Sequence, residues 1–214
     1  MSGTRPWVKV CGFTCPEEAT AAADLGIDAV GVVLAESKRQ VTAARAAKIL
    51  ADVPTHVARV GVFVDADFAT IIAASEIAGL DTVQLHGCEP PEFVAQCAAH
   101  GLKVIKALRV QNRQVLAQLT SYKGRGVCAF LLDSYVPGTM GGSGATCNWS
   151  IARTAGTTNP AERIILAGGL MPENVGVAMD IATPWGIDVS SGVEESPGKK
   201  DLAKIARLMQ AIGR

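Results

Sequence analysis

Short apolar runs alternate with Ala-rich amphipathic stretches along the whole chain. Val8 to Cys11 predicts a strand and Pro16 to Leu25 a helix, with Pro16 suited to the first turn and Gly26 to the stop. Ala29 to Leu34 and Thr42 to Ala51 repeat the pair, followed by His56 to Val64 and Ala66 to Ala78, which stops near Gly79. Thr82 to Leu85 predicts a fourth strand, and its helix starts near Pro90 or Pro91 and closes at Gly101. Lys103 to Leu108 and Asn112 to Ser121 form the fifth unit. After the sixth strand, Cys128 to Leu132, a Gly-rich loop delays the helix to near Trp149. Arg163 to Ala167 with Pro172 to Ile181, then Gly186 to Val189 with Lys200 to Ile212, complete eight units.

An apolar run alone does not separate strand from helix, but regular alternation with helical patterns argues for βαβ units and a parallel sheet. Eight units predict an α/β fold of the single-domain (β/α)8 TIM-barrel type spanning residues 1–214. An open doubly wound sheet would place a Gly-rich turn after its first strand. Here that strand runs into Cys11-Gly12-Phe13-Thr14, and the glycine clusters come late.

Composition narrows the function classes. Hydrophobic residues make up 49% of the 214 and aromatic ones only 5%, so small aliphatic side chains build the core, as in sheets covered on both faces. Twenty basic and 20 acidic residues balance, which gives no basic footprint for nucleic acid or a membrane surface. The start, MSGTRPWVKV, lacks the pattern of a signal peptide, and no run approaches the roughly 18 apolar residues of a membrane span. The expected setting is cytoplasmic, with the six cysteines as free thiols. Only Cys11 and Cys15 are close in sequence, and no second close pair or His cluster completes a metal-ligand set.

Barrels carry their chemistry at the C-terminal strand ends. Cys11 closes the first strand there, where a thiol serves as acid, base or nucleophile; a buried cysteine is otherwise a small hydrophobe. Asp133 closes the sixth, and Asp188 lies in the eighth; each is an acid–base candidate or a loop-capping carboxylate. Asp65 reads as a helix N-cap. His86 is a site residue or a satisfied histidine, and Arg39 a two-point carboxylate ligand or a solvated cation. Gly141-Gly142-Ser143-Gly144, Gly168-Gly169 and Ser190-Ser191-Gly192 follow consecutive late strands, where barrels hold phosphate on backbone N–H groups.

These residues also form an ordered set of motifs. Val8-Lys9-Val10-Cys11-Gly12-Phe13-Thr14, Gly61-Val62-Phe63-Val64, Val83-Gln84-Leu85-His86-Gly87 and Leu131-Leu132-Asp133 resemble phosphoribosylanthranilate isomerase, an enzyme family of tryptophan biosynthesis. Leu166-Ala167-Gly168-Gly169-Leu170 and Asp188-Val189-Ser190-Ser191-Gly192-Val193-Glu194, followed by Pro197-Gly198 and Lys200-Asp201, extend the resemblance over nearly the whole chain. It implies an Amadori rearrangement of N-(5-phosphoribosyl)anthranilate to 1-(2-carboxyphenylamino)-1-deoxyribulose 5-phosphate, with no cofactor and no metal. By resemblance, Asp133 is the general acid that opens the furanose and Cys11 the base that takes the C2 proton. Substrate contacts then fall on Arg39, His86, Gly141, Gly142, Gly144, Gly168, Gly169, Asp188, Ser190, Ser191 and Gly192. A thiolate base further implies a depressed pKa at Cys11. The implied partner is a small phosphosugar, and association with other tryptophan-pathway enzymes stays open.

Three positions depart from the family pattern. Ser37-Lys38-Arg39 replaces Ser-Pro-Arg, Ser143 replaces a threonine, and Cys147-Asn148 replaces Phe-Asp before Trp149. Among related barrels, an indole-glycerol phosphate synthase would use strand-end lysine, for which Lys106 is a candidate, together with glutamate. A ribulose-phosphate epimerase would need metal ligands including histidine, and the chain has only His56, His86 and His100. A degenerate, purely binding barrel would not need both Cys11 and Asp133.

Overall fold

The computed structural model describes residues 5–133 and 145–214, the side chains of 145–148 excepted. Eight parallel strands close into a barrel in chain order: β1 (Trp7–Cys11), β2 (Ala29–Val33), β3 (Ala58–Phe63), β4 (Thr82–Leu85), β5 (Lys103–Arg109), β6 (Val127–Asp133), β7 (Ile164–Ala167) and β8 (Gly186–Val189). The ring is sealed by β1 against β8, from Trp7 opposite Gly186 to Val10 opposite Val189. The helices are α1 (Pro16–Asp24), α2 (Ala43–Leu50), α3 (Phe68–Ala78), α4 (Pro91–Ala99), α5 (Val115–Ser121), α6 (Ala145–Thr158), α7 (Val175–Ala182) and α8 (Leu202–Ala211).

The β-branched strands bury both faces, and their alternation divides the core in two. Outward residues such as Val8, Val10, Val30, Val83, Leu132 and Leu166 pack against the helices. Inward residues Ala29, Val60, Ile105, Ala107, Ala129, Leu131, Ile165 and Ala167 fill the barrel. At the N-terminal end, Trp7 stacks on Trp185 with ring centroids 5.3 Å apart. The inward positions turn polar at the opposite end, where the site lies.

The elements start and stop for local reasons. Thr42, Asp67 and Asp201 cap α2, α3 and α8 by accepting from the backbone N–H three residues on. Asp67, not Asp65, is therefore the cap of α3; Asp65 instead accepts from Cys88 N at 2.6 Å and ties the third loop to the fourth. The sixth helix begins at Ala145, a turn before the first large apolar residue of its stripe, Trp149. The seventh begins at Val175 rather than Pro172, because Asn174 Oδ1 accepts from Met171 N (2.9 Å) and holds a turn there. Lys200 belongs to no helix. After β8 come a 3₁₀ turn (Ser191–Val193) and an antiparallel ribbon of β9 (Glu194–Ser196) and β10 (Lys199–Lys200).

Candidate active site

A cleft of about 590 Å³ opens at the C-terminal end of the barrel. Cys11, Gln84, Asp133 and Asp188 line it from the strands, and Arg39, His86, Gly168, Gly169, Ser190 and Ser191 from the loops. The strand-end candidates read from the sequence thus share one cavity. Gly141, Gly142 and Gly144 lie outside the described residues.

Cys11 is 7% exposed. Lys9, two residues earlier on the same inward face, is fully buried and pairs through Nζ with Asp188 Oδ2 at 2.9 Å. The other Asp188 oxygen, Oδ1, is buried with no hydrogen-bond partner among the described residues, although Asp188 lines the cleft. A buried acceptor left open at the wall of a cavity suits a ligand hydroxyl. Burial pushes the Cys11 thiol up; the ammonium of Lys9 opposes this, Asp188 reinforces it, and Lys200 opposes it more weakly. The shift is therefore opposite to the depressed value that the resemblance implies, because desolvation outweighs the neighbouring cations.

Across the mouth, Asp133 Oδ2 lies 3.5 Å from His86 Nε2. Gln84 Nε2 sits 3.3 Å from His86 Nδ1. In the tautomer with its proton on Nε2, His86 accepts from Gln84 and turns Nε2–H toward Asp133.

Arg39 is placed differently from the sequence expectation. Its two-point edge is already taken: Nε and Nη2 donate to Glu194 Oε1 and Oε2 at 2.7 and 2.6 Å. The side chain folds over Gly12, where a Cβ would sit 2.5 Å from Arg39 Cδ; Gly12, at φ +90°, can have none. Arg39 still lines the cleft, and Glu194 takes only its Nε and one Nη2 N–H group. Within this loop, Ser37 Oγ accepts from Arg39 N at 3.1 Å.

Glu194 also accepts from Lys200 Nζ at 2.8 Å, and Lys200 reaches on to Cys11 O at 2.6 Å. Ser190 Oγ donates to the same carbonyl at 2.9 Å, so its hydroxyl is spent inside the protein. Burial resists the charge on Glu194, but Arg39 and Lys200 overcome it and hold the carboxyl at about 2.

The late loops meet tightly. Gly168 and Gly169 take positive φ of 92° and 65°. A Cβ at Gly192 would collide with Leu170 O and the backbone of Met171, so the loops after β7 and β8 are seamed backbone to backbone. Gly192→Ala is expected to prise this seam apart and raise KM for a phosphorylated substrate by about tenfold or more. Steady-state kinetics on a variant with an unchanged circular dichroism spectrum checks this; an unmoved KM would detach the seam from binding.

Lys9, Gln84, Glu194 and Lys200 were not among the sequence candidates. For Lys9 and Gln84 the signal was available: a polar residue at an inward position of an otherwise apolar strand. Lys106 is also buried, but it clamps the fourth loop, donating to Glu89 Oε2 at 2.7 Å and Gly87 O at 2.8 Å, which leaves no free ammonium for synthase-type chemistry.

The known proteins that this chain is similar to point one way. Residues 8–211 match the family model described as N-(5'phosphoribosyl)anthranilate (PRA) isomerase. The N-(5'-phosphoribosyl)anthranilate isomerase of Pelobacter propionicus is 46% identical over 95% of this chain and 93% of its own length. That of Moorella thermoacetica is 43% identical over 96% and 88%. A crystal structure of phosphoribosyl anthranilate isomerase from Thermotoga maritima superposes with a TM-score of 0.86 at 38% identity, covering 97% of this chain and 98% of that one. Another, in complex with reduced 1-(o-carboxyphenylamino)-1-deoxyribulose 5-phosphate, gives 0.83 at 35% identity, with 97% and 98% covered. The chain belongs to the N-(5'-phosphoribosyl)anthranilate isomerase family, the isomerases of tryptophan biosynthesis.

Proposed function

We propose that the cleft performs the family's Amadori rearrangement by acid–base catalysis, with Asp133 and Cys11 as the two proton-handling groups. The observation that carries this reading is that both line the same cleft from strands three steps apart around the ring. An aldose-to-ketose shift needs an acid and a base at different atoms of the sugar. The protonated Asp133 gives its proton to the ring oxygen, the C1–O bond breaks, and the nitrogen lone pair forms C1=N. The Cys11 thiolate then removes the C2 proton, and the C–H electrons form C1=C2 as the iminium electrons return to nitrogen. The enolamine tautomerises to the ketone, with protonation at C1.

The remaining contacts follow the chemistry of the wall. Asp188 Oδ1 accepts a sugar hydroxyl, and His86 orients Asp133. Gly168-Gly169 and Ser190-Ser191-Gly192 offer backbone N–H groups to the phosphate beside the 3₁₀ turn that follows β8, where barrels commonly hold one. Arg39 and Lys200 against Glu194 leave one surplus positive charge, which suits the anthranilate carboxylate. The free thiols of Cys11, Cys15, Cys88, Cys97 and Cys128 support a reducing, cytoplasmic setting.

Purified protein is expected to consume freshly made phosphoribosylanthranilate, read as loss of its fluorescence, in the presence of a chelator. No turnover, or turnover that returns only with added divalent metal, would sink the reading.

A further inference from the structure

We propose that Lys9 is the positioning residue that lets Cys11 act as a thiolate, and that Cys11 and Asp188 compete for its single buried ammonium. This rests on the assignment of Cys11 as the base. A thiolate in a site that is 7% exposed needs a compensating charge, because burial disfavours the ionised form. The fold supplies one at close range. Lys9 and Cys11 project from alternate positions of β1 into the barrel, and both close on the bare backbone of Gly31 in β2. A Cβ at Gly31 would lie 2.8 Å from Cys11 Sγ and 3.0 Å from Lys9 Cε. Only glycine leaves room for this approach.

Lys9 is fully buried, and such an ammonium is retained only with anionic partners. Its pair with Asp188 at 2.9 Å supplies one. Burial alone would discharge Lys9, but Asp188 and then Cys11 reverse that and hold it charged. The other charges that bear on Cys11 are Lys200 from β10 and Arg39 from the second loop. Lys200 is committed to Glu194 and to two carbonyls, and Arg39 to Glu194. Asp188 in turn feels His86 and Asp133. A substrate hydroxyl donating to Asp188 Oδ1 would weaken its hold on Lys9 and free the ammonium for sulfur. Ionisation sends the Cys11 proton to water before C2 is attacked, so no further reactant is needed.

The test is the pH dependence of alkylation of the full chain by iodoacetamide, read at Cys11 by mass spectrometry with exposed Cys88 as internal control. Lys9→Met is expected to raise the Cys11 midpoint by about one pH unit or more and leave Cys88 unmoved. The ascending limb of kcat should move with it, cutting turnover near neutrality by about tenfold and restoring it at higher pH. Asp188→Asn is expected to lower the midpoint, because the thiolate then holds Lys9 alone. General damage to the fold would not move the two variants in opposite directions. An unmoved Cys11 midpoint in Lys9→Met overturns the proposal, whatever happens to activity. If that variant does not fold, an unmoved or raised midpoint in Asp188→Asn overturns it. Full activity in Cys11→Ala would instead remove the base assignment and leave the alkylation result standing by itself.

Discussion

Asp133→Asn and Cys11→Ala should each lower kcat by about 10²- to 10⁴-fold, the usual worth of a positioned acid or base, while KM changes little. Neither residue is a large part of the core. Asp133 is only partly buried at a strand end, and Cys11 is a small side chain at the cleft wall. The variants should therefore fold, and their losses belong to the chemistry. The two should also differ in kind. Without the acid, the ring stays closed and substrate deuterated at C2 reacts no more slowly than the protiated form. Without the base, ring opening continues and removal of the C2 proton limits the rate, so deuteration slows turnover further. The double variant should be little worse than the weaker single one, because removing one member of a relay idles the other. Normal turnover in either single variant would refute the assignment.

The second large effect concerns stability. Glu194→Gln should cost about 3–5 kcal/mol in urea unfolding, the range for breaking a buried ion pair. The cost is high because one carboxylate serves two cations: Lys200, 3% exposed, loses its counter-ion, and Arg39 loses its two-point bond because glutamine keeps only one acceptor oxygen. The pH dependence has a definite sign. Arg39 and Lys200 hold the folded carboxyl at about 2, against an ordinary value of 4.5. Its contribution is complete above about pH 4.5 and is lost as pH falls toward 2, since the unfolded chain takes up its proton first. Wild type should lose stability across that window, and the variant should lose correspondingly less. Parallel curves would show that Glu194 is not the group responsible.

The barrel was legible because it repeats. Eight apolar runs spaced by amphipathic stretches specify a layered α/β architecture even when each boundary is off by a few residues. The strand-end rule then placed Cys11, His86, Asp133 and Asp188 at one mouth, where the structure has them. The partners of these groups were less visible. Glu194 and Lys200 stand on a ribbon that periodicity left unassigned at Glu194 and absorbed into the last helix at Lys200, because two- and three-residue strands carry no period. Arg39 was expected to offer its fork to a ligand, and nothing local reveals that a residue 155 positions away has taken it. The pKa of Cys11 is also set by a balance between burial and charge that only three-dimensional neighbours decide.

The hydrogen bond from Lys200 to the carbonyl of Cys11 spans 189 residues of sequence. Ser190 and Asp188, which hold Cys11 O and Lys9, stand 179 residues from them. Translation delivers Lys9, Cys11 and Gly31 long before Asp188, Ser190 and Lys200. A growing chain can therefore lay down helices and partial sheet, but it holds no organised thiol until the last strand has closed on the first. Such long-range closure is slow, and its cost in chain entropy falls on one late step. A chain stalled before β8 therefore lacks Asp188, Ser190 and Lys200, the partners of Lys9 and of the Cys11 carbonyl.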